Sequence, residues 1–426
     1  MKKNDSNLLS IDQLRLGLFI ELDVGWMAHP FPTGSFKLSS EKQIDTLRGL
    51  GLTHVRYVPE KSDLLPSTNA STERLTAAAQ EAAAQSLALD AKRQARQDAL
   101  TLQKRNAQQC ERRFAETLRA YRSAMDKLLT DPKEVAAQCE ADIRNLVHSM
   151  LDGESAITLL SETAGEKTAM HAVNVTIISL LLGKAMGLDE DELRDLGMAA
   201  FFHDMGKTKL LDRVRWPDDS FTGAETNLYQ THVGLGVQIG KTMELSKNTL
   251  LAMAQHHEWV DATGFPMRAT GEGMTVAGKI LSLVNRYDNL CNPSKVANAL
   301  TPHESLSWIF AQQKTKFDAT ALAAFIRMMG VYPPGSVIQL ADGRYASVVS
   351  VNSARPLKPK VLLHDINVPK HEALAIDLEH ASHLTIRRSV RPATLPIAAQ
   401  EYLAPRQRIC YFFEPLVDPY LQGAKP

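Results

Sequence analysis

The sequence predicts a mainly α protein, with a helical core, a small α/β module before it, a long linking helix and a β-rich tail. Three observations predict this. Residues 70–130 contain neither Gly nor Pro and are dominated by Ala, Gln, Arg and Leu, the composition of a long helix. Residues 132–330 keep a helical apolar period that is punctuated by Gly and Pro. Beyond Gly335 the period shortens to strands, expected at 336–340, 346–351, 360–364 and 383–387, with a turn at Asp342-Gly343.

Taken in order, residues 1–66 alternate apolar and polar positions in short pieces, with strands expected at 16–20 and 54–58. Between them a short helix is expected over 40–50, started by Ser39 or Ser40. Residues 67–131 form the linker. Sixty helical residues would extend roughly 90 Å, longer than an ordinary packed helix. Ala107, Cys110, Phe114, Leu118, Tyr121, Met125 and Leu128 recur every three or four positions and make a seam. Two readings of that seam stand: a signalling helix that pairs two chains into a homodimer, or a hairpin folded onto the main domain. Residues 132–330 are the helical core, and 331–426 the β-rich extension.

Composition excludes several classes. The 48 basic and 48 acidic side chains cancel, which argues against a partner that is a nucleic-acid polymer. The apolar stretch at 173–182 is far short of the roughly 20 residues a bilayer span needs, and no leader pattern opens the chain. The four cysteines are scattered, with no CxxC pair, as expected in a reducing cytoplasm.

Chemistry gathers in the helical core. His171, His203-Asp204, His232, His256-His257 and Asp288 fall within about 120 positions of one another. Buried imidazoles and carboxylates cost several kcal/mol unless they are paired or bind metal. Imidazole with carboxylate suits Fe, Mn, Zn or Ni, and a shared carboxylate can hold two such ions. In a vicinal His-Asp pair one residue can bind one ion while its neighbour bridges both. His256-His257 can serve both ions, or one ion and the substrate.

Phe202-His203-Asp204-Met205-Gly206-Lys207 resembles the HDxGK core of the HD superfamily of metal-dependent phosphohydrolases. The segment 256–266, beginning His256-His257-Glu258 and ending Gly264-Phe265-Pro266, resembles the HHExxDGxGYP segment of its HD-GYP subfamily. The segment 280–290, with Asn285-Arg286-Tyr287-Asp288, is similar to that subfamily's DxYDAL helix, and Phe317-Asp318 and the segment 330–335 also recur there. The resemblance covers roughly residues 135–400. The first 66 residues, with Gly25-Trp26-Met27-Ala28-His29-Pro30-Phe31, resemble a small module that often precedes HD-GYP domains.

The resemblance implies an HD-type helical bundle and hydrolysis of the bacterial second messenger cyclic di-GMP to pGpG, and often on to GMP, by a metal-bridged hydroxide. It implies two divalent transition-metal ions, Fe or Mn first and Zn or Ni next. The implied ligands are His171, His203, Asp204, His232, His256, His257 and Asn285, with Asp204 the bridge and catalytic alongside Lys207. The implied substrate contacts are Lys207, Gly264, Phe265, Pro266 and Lys295. Regulation through signalling partner proteins and a cytoplasmic location belong to the same expectation.

The chain departs from the pattern at several places. Asn285 stands where the family has a ligand carboxylate, and Asp288 retains the second acid as an alternative ligand. Lys167 occupies the place of a third-metal carboxylate, with Glu166 one residue off. The segment 291–297 lacks the expected phosphate-binding arginines, leaving Lys295. A catalytically degenerate receptor or scaffold for cyclic di-GMP is therefore the alternative to the enzyme.

Overall fold

The computed structural model describes residues 7–25, 28–64, 69–160, 167–217, 220–352 and 354–415. Trp26 and Met27 of the N-terminal motif, and Glu166, lie outside them. The chain divides into two compact units, Met1–Arg93 and Gln94–Pro426.

In the first unit β1 (Leu8–Ser10), β2 (Phe19–Glu21), β3 (Ser35–Lys37), α1 (Glu41–Gly49) and β4 (His54–Tyr57) build an antiparallel sheet in the order β1-β4-β2-β3. Ile20, Leu38, Ile44, Leu47 and Val55 close its core. Gln43 accepts hydrogen bonds from the Ser39 and Ser40 amides, which sets the start of α1. β2 begins later than expected because Gly17 takes a positive φ of 85° and turns the chain first.

α2 (Asn69–Lys127) runs on into the second unit. A short loop then leads to α3 (Pro132–Leu151), which starts with Pro at its first position. Cys110, Phe114, Leu118, Tyr121 and Leu128 are buried in one core with Val135, Cys139, Ile143 and Val147 of α3, and Arg113 hydrogen-bonds Ser149. The expected seam is therefore covered by its own chain as a helical hairpin. It is not a free surface for a homodimer, because its apolar side chains are buried in the core of their own unit, where Tyr121 meets Phe201 of α5 and Cys110 lies on the Phe413 carbonyl.

Next come β5 (Ser155–Leu159), α4 (Lys167–Ala185), α5 (Glu190–Phe202), α6 (Gly223–Thr242), α7 (Lys247–Gln255), α8 (Val276–Cys291), α9 (Pro302–Gln312) and α10 (Ala319–Met329). Asp189-Glu192, Thr222-Glu225 and Thr301-Glu304 form reciprocal caps that begin α5, α6 and α9. α4 is the central helix, buried from Ala169 to Gly183 and packed on α5 and α8. It is long and apolar enough to cross a membrane, but 83% of its apolar window is buried inside the unit.

The remaining elements are β6 (Val337–Leu340), β7 (Tyr345–Asn352), β8 (Lys360–Leu363), β9 (Ala375–Asp377), β10 (Ile386–Val390), α11 (Ile397–Leu403) and β11 (Tyr411–Pro415). They form an antiparallel sheet, β10-β6-β7-β5-β11, with β8 and β9 joined through β7. This sheet takes β5 from the stretch expected to be helical throughout: Ser155–Leu159 pairs residue for residue with Tyr411–Pro415. β10 lies three residues later than expected, on the edge beside β6.

Candidate metal centre

Five elements of the second unit bring the sequence-selected residues to one point. His171 comes from the interior of α4, and His203-Asp204 from the end of α5. His232 lies within α6, His256-His257 directly after α7, and Asn285 and Asp288 on α8. Gly206 permits the close packing of the turn after Asp204 on α6, since a Cβ there would strike the His232 carbonyl.

The imidazoles are oriented from behind. The Nδ1 atoms of His203, His232 and His256 lie 2.7, 2.5 and 2.6 Å from the carbonyls of Ala200, Tyr229 and Met253. A carbonyl only accepts, so each Nδ1 carries the proton and each Nε2 presents a lone pair inward. His171 uses a carboxylate for the same purpose: its Nδ1 is 2.6 Å from Asp288 Oδ2. Asp288 is thus a support for His171 rather than a member of the inward donor set. Its other oxygen accepts from Asn174 and, at 2.9 Å, from Asn292.

Asp204 divides the four imidazoles into two pairs. Its Oδ2 lies 3.6 and 3.4 Å from the Nε2 atoms of His171 and His203, and its Oδ1 lies 3.6 and 3.7 Å from those of His232 and His256. His257 joins the second group. Oδ1 is buried without a hydrogen-bond partner among the described residues. A buried carboxylate oxygen facing only lone pairs lacks a cation, so the donor set fits divalent metal ions.

Electrostatics point the same way. Burial opposes the Asp204 charge, but the Lys207 ammonium beside it holds its carboxyl well below the usual range. Burial pushes His232 down to about 4 and, with neighbouring imidazoles, holds His256 and His257 well below the usual value. These rings stay neutral at neutral pH, the form that ligates. Burial also opposes the Lys207 charge, but Asp204 and Tyr229 raise its pKa above that of an ordinary lysine. Its ammonium is 2.6 Å from Asp204 Oδ2.

Asn285 is buried beside His256, with its Nδ2 3.4 Å from the His256 carbonyl and its Oδ1 receiving a 2.7 Å hydrogen bond from Asn289. One lone pair of the amide oxygen is thus taken by Asn289, and the amide brings no charge to a metal. Lys167 is bonded to Ser294 at 2.8 Å and lies 3.8 Å from the Trp216 ring centre.

A cavity of about 410 Å³ opens against the His256-His257 side. Phe265 lines it and stacks on His257 with ring centres 4.4 Å apart, while Lys295 stands at its rim. Gly264 is buried so tightly that a Cβ would lie 2.5 Å from the His257 carbonyl; Pro266, after a cis peptide bond, is exposed. Glu258, fully buried, holds this loop by accepting from the amides of Met267, Arg268 and Ala269 at 2.5–3.1 Å. Arg286, on α8 before Leu290, also lines the cavity.

Comparison with known families agrees with this geometry. The HD domain profile matches residues 147–321, and a domain of unknown function, DUF3391, matches residues 7–139. The HD match spans the helices that carry all the residues of the centre. The DUF3391 match continues through α2, so the helix belongs to that module's pattern as well as to the packing of the HD domain. Among curated relatives, a cyclic di-GMP phosphodiesterase of Pseudomonas aeruginosa is 25% identical over 359 residues, 83% of this chain and 84% of that protein. The cyclic di-GMP phosphodiesterase PdeB of Borreliella burgdorferi is 22% identical over 45% of this chain, which spans about half (51%) of its length. A solved HDG"Y"P protein from Bdellovibrio bacteriovorus aligns with a TM-score of 0.42 at 14% identity, over 75% of this chain and 97% of that one.

Proposed function

We propose that this HD-GYP protein is a metal-dependent phosphodiesterase that hydrolyses cyclic di-GMP, with pGpG or GMP as the end product. The observation that carries the reading is the division of Asp204: each carboxylate oxygen faces its own pair of inward-pointing imidazoles. Oδ2 with His171 and His203 would hold one ion, and Oδ1 with His232, His256 and His257 a second, Fe or Mn first among the metals. Ions held there supply Lewis acidity toward a phosphoryl oxygen and a lowered pKa for water.

The chain's own residues do the rest. Lys207 supplies a buried positive charge beside Asp204 to meet charge developing on phosphate. The Phe265 ring, fixed against His257 and carried by the Glu258-anchored loop, offers a face for a nucleobase. Lys295 at the rim is placed for a phosphate contact. A cytoplasmic site of action fits a soluble dinucleotide substrate. Signalling partners, or a second copy of the chain, would meet α2 over residues 83–99, whose side chains are exposed.

A receptor that binds cyclic di-GMP without turnover is the second reading. It is favoured by Asn285, a neutral amide engaged by Asn289 where a carboxylate ligand was expected. One experiment separates them: purified full chain with Mn²⁺ or Fe²⁺ and cyclic di-GMP, with pGpG and GMP followed by chromatography. Turnover that disappears in the double variant His203→Ala, Asp204→Ala is expected. Tight binding without turnover would replace the enzyme by the receptor, and neither binding nor turnover would end both readings.

A further inference from the structure

Resting on the cyclic dinucleotide reading, we infer that Arg286 is a specificity residue that grips the second, non-scissile phosphate of the substrate. Arg286 is half-buried on α8, directly after Asn285, and its side chain lines the cavity that opens on His256 and His257. Among the described residues its one hydrogen bond runs from Nε to Gln313 Oε1 at 3.0 Å, and no carboxylate pairs with it. The two terminal guanidinium nitrogens are thus uncommitted, beside a cavity large enough for a ligand.

A guanidinium withdrawn from water without a counter-ion is costly, so such a residue is retained where an anion arrives. Burial alone lowers its pKa, with no compensating carboxylate. The free edge of a guanidinium, once Nε is tied to Gln313, is the fork that matches a phosphate bidentately. Asp204 and its histidines mark the place of the scissile phosphate, and a cyclic dinucleotide carries a second phosphate across its ring. Arg286 lies on the cavity wall, outside the donor set, where that second charge can be met. With Arg286 in that place, the site favours a ligand with two phosphates over a simple phosphodiester.

The test uses the full chain loaded with Mn²⁺ and two substrates, cyclic di-GMP and bis(p-nitrophenyl) phosphate, which has a single phosphate. Arg286→Gln and Arg286→Met should raise KM for cyclic di-GMP about 10–100-fold, the value of a charge-assisted pair, with kcat within about threefold. Hydrolysis of bis(p-nitrophenyl) phosphate and metal content should be unchanged. Arg286→Lys should recover part of the loss, and Gln313→Ala, which releases Nε but keeps the charge, should raise KM for cyclic di-GMP less than the neutral variants do.

An unchanged KM in both neutral variants overturns the inference. So does an equal loss on both substrates, because it marks a role in packing. Should the parent cleave bis(p-nitrophenyl) phosphate but neither bind nor cleave cyclic di-GMP, the proposed function falls and the assignment of Arg286 falls with it. An active parent with indifferent variants removes Arg286 alone.

Discussion

Asp288 shows how much of the centre depends on residues that do not face the metals. Its carboxylate fixes the His171 proton on Nδ1 and is itself held by Asn174 and Asn292. Asp288→Asn keeps the shape of the side chain but removes the charge behind the imidazole. Metal affinity should fall about 10–100-fold, as for other carboxylates that support a ligating histidine, with the fold intact by circular dichroism. Metal titration by calorimetry checks this, and an affinity equal to the parent's would mean that His171 is oriented by its packing alone. The vicinal His203-Asp204 and His256-His257 pairs were legible in the sequence because adjacent ligand types are rarely a packing pattern. The supporting role of Asp288 was not, since spacing cannot tell a ligand from the group behind it. Arg286 stayed hidden for a related reason: one arginine on an amphipathic helix reads as a solvated charge until the cavity beside it is seen.

At the scale of elements, the loop carrying Gly264, Phe265 and Pro266 hangs from one carboxylate. Glu258→Ala would leave three part-buried amides without their acceptor. Stability should drop by about 1–3 kcal/mol in a urea titration, the range for leaving buried polar groups unsatisfied. KM for the dinucleotide should rise more than KM for a small phosphodiester, because Phe265 loses its fixed place on His257. The helices were legible from their caps and their Gly and Pro boundaries, as in Asp189-Glu192 and Thr222-Glu225. β5 was not, because five residues of SAITL do not separate strand from helix by period. Its partner β11 is remote in the chain, and only tertiary pairing decides the matter. The seam on α2 was read correctly as apolar, but its period could not say whether its own chain or another would cover it.

For the molecule as a whole, the metal-free centre couples folding to pH. His232 has a folded-state pKa of about 4, against roughly 6.5 when unfolded. The unfolded chain therefore takes up a proton that the folded chain refuses. The contribution is fully present above about pH 6.5 and is lost as pH falls toward 4. His256, His257 and Asp204 are all held below their ordinary values, so their contributions too fade on acidification. Chelator-treated protein should show a urea midpoint that falls steadily between about pH 6.5 and 4. Bound metal should flatten the upper part of that curve, because ligation favours the same neutral rings. A midpoint insensitive to pH in the metal-free protein would contradict the buried, neutral state of these histidines.

The pairing of β11 with β5 has a consequence for the order of synthesis. Asn174 donates to the Ile409 carbonyl and accepts from the Tyr411 amide, while Asn292 exchanges hydrogen bonds with Ile409. Both asparagines are the groups that hold Asp288. A ribosome that has reached residue 400 has already produced every histidine of the centre, yet the backbone that locks the support of His171 has not been made. The nascent HD domain would thus pass through a stage with its donors in place and their framework open, and premature metal capture would be weak until the last strand arrives.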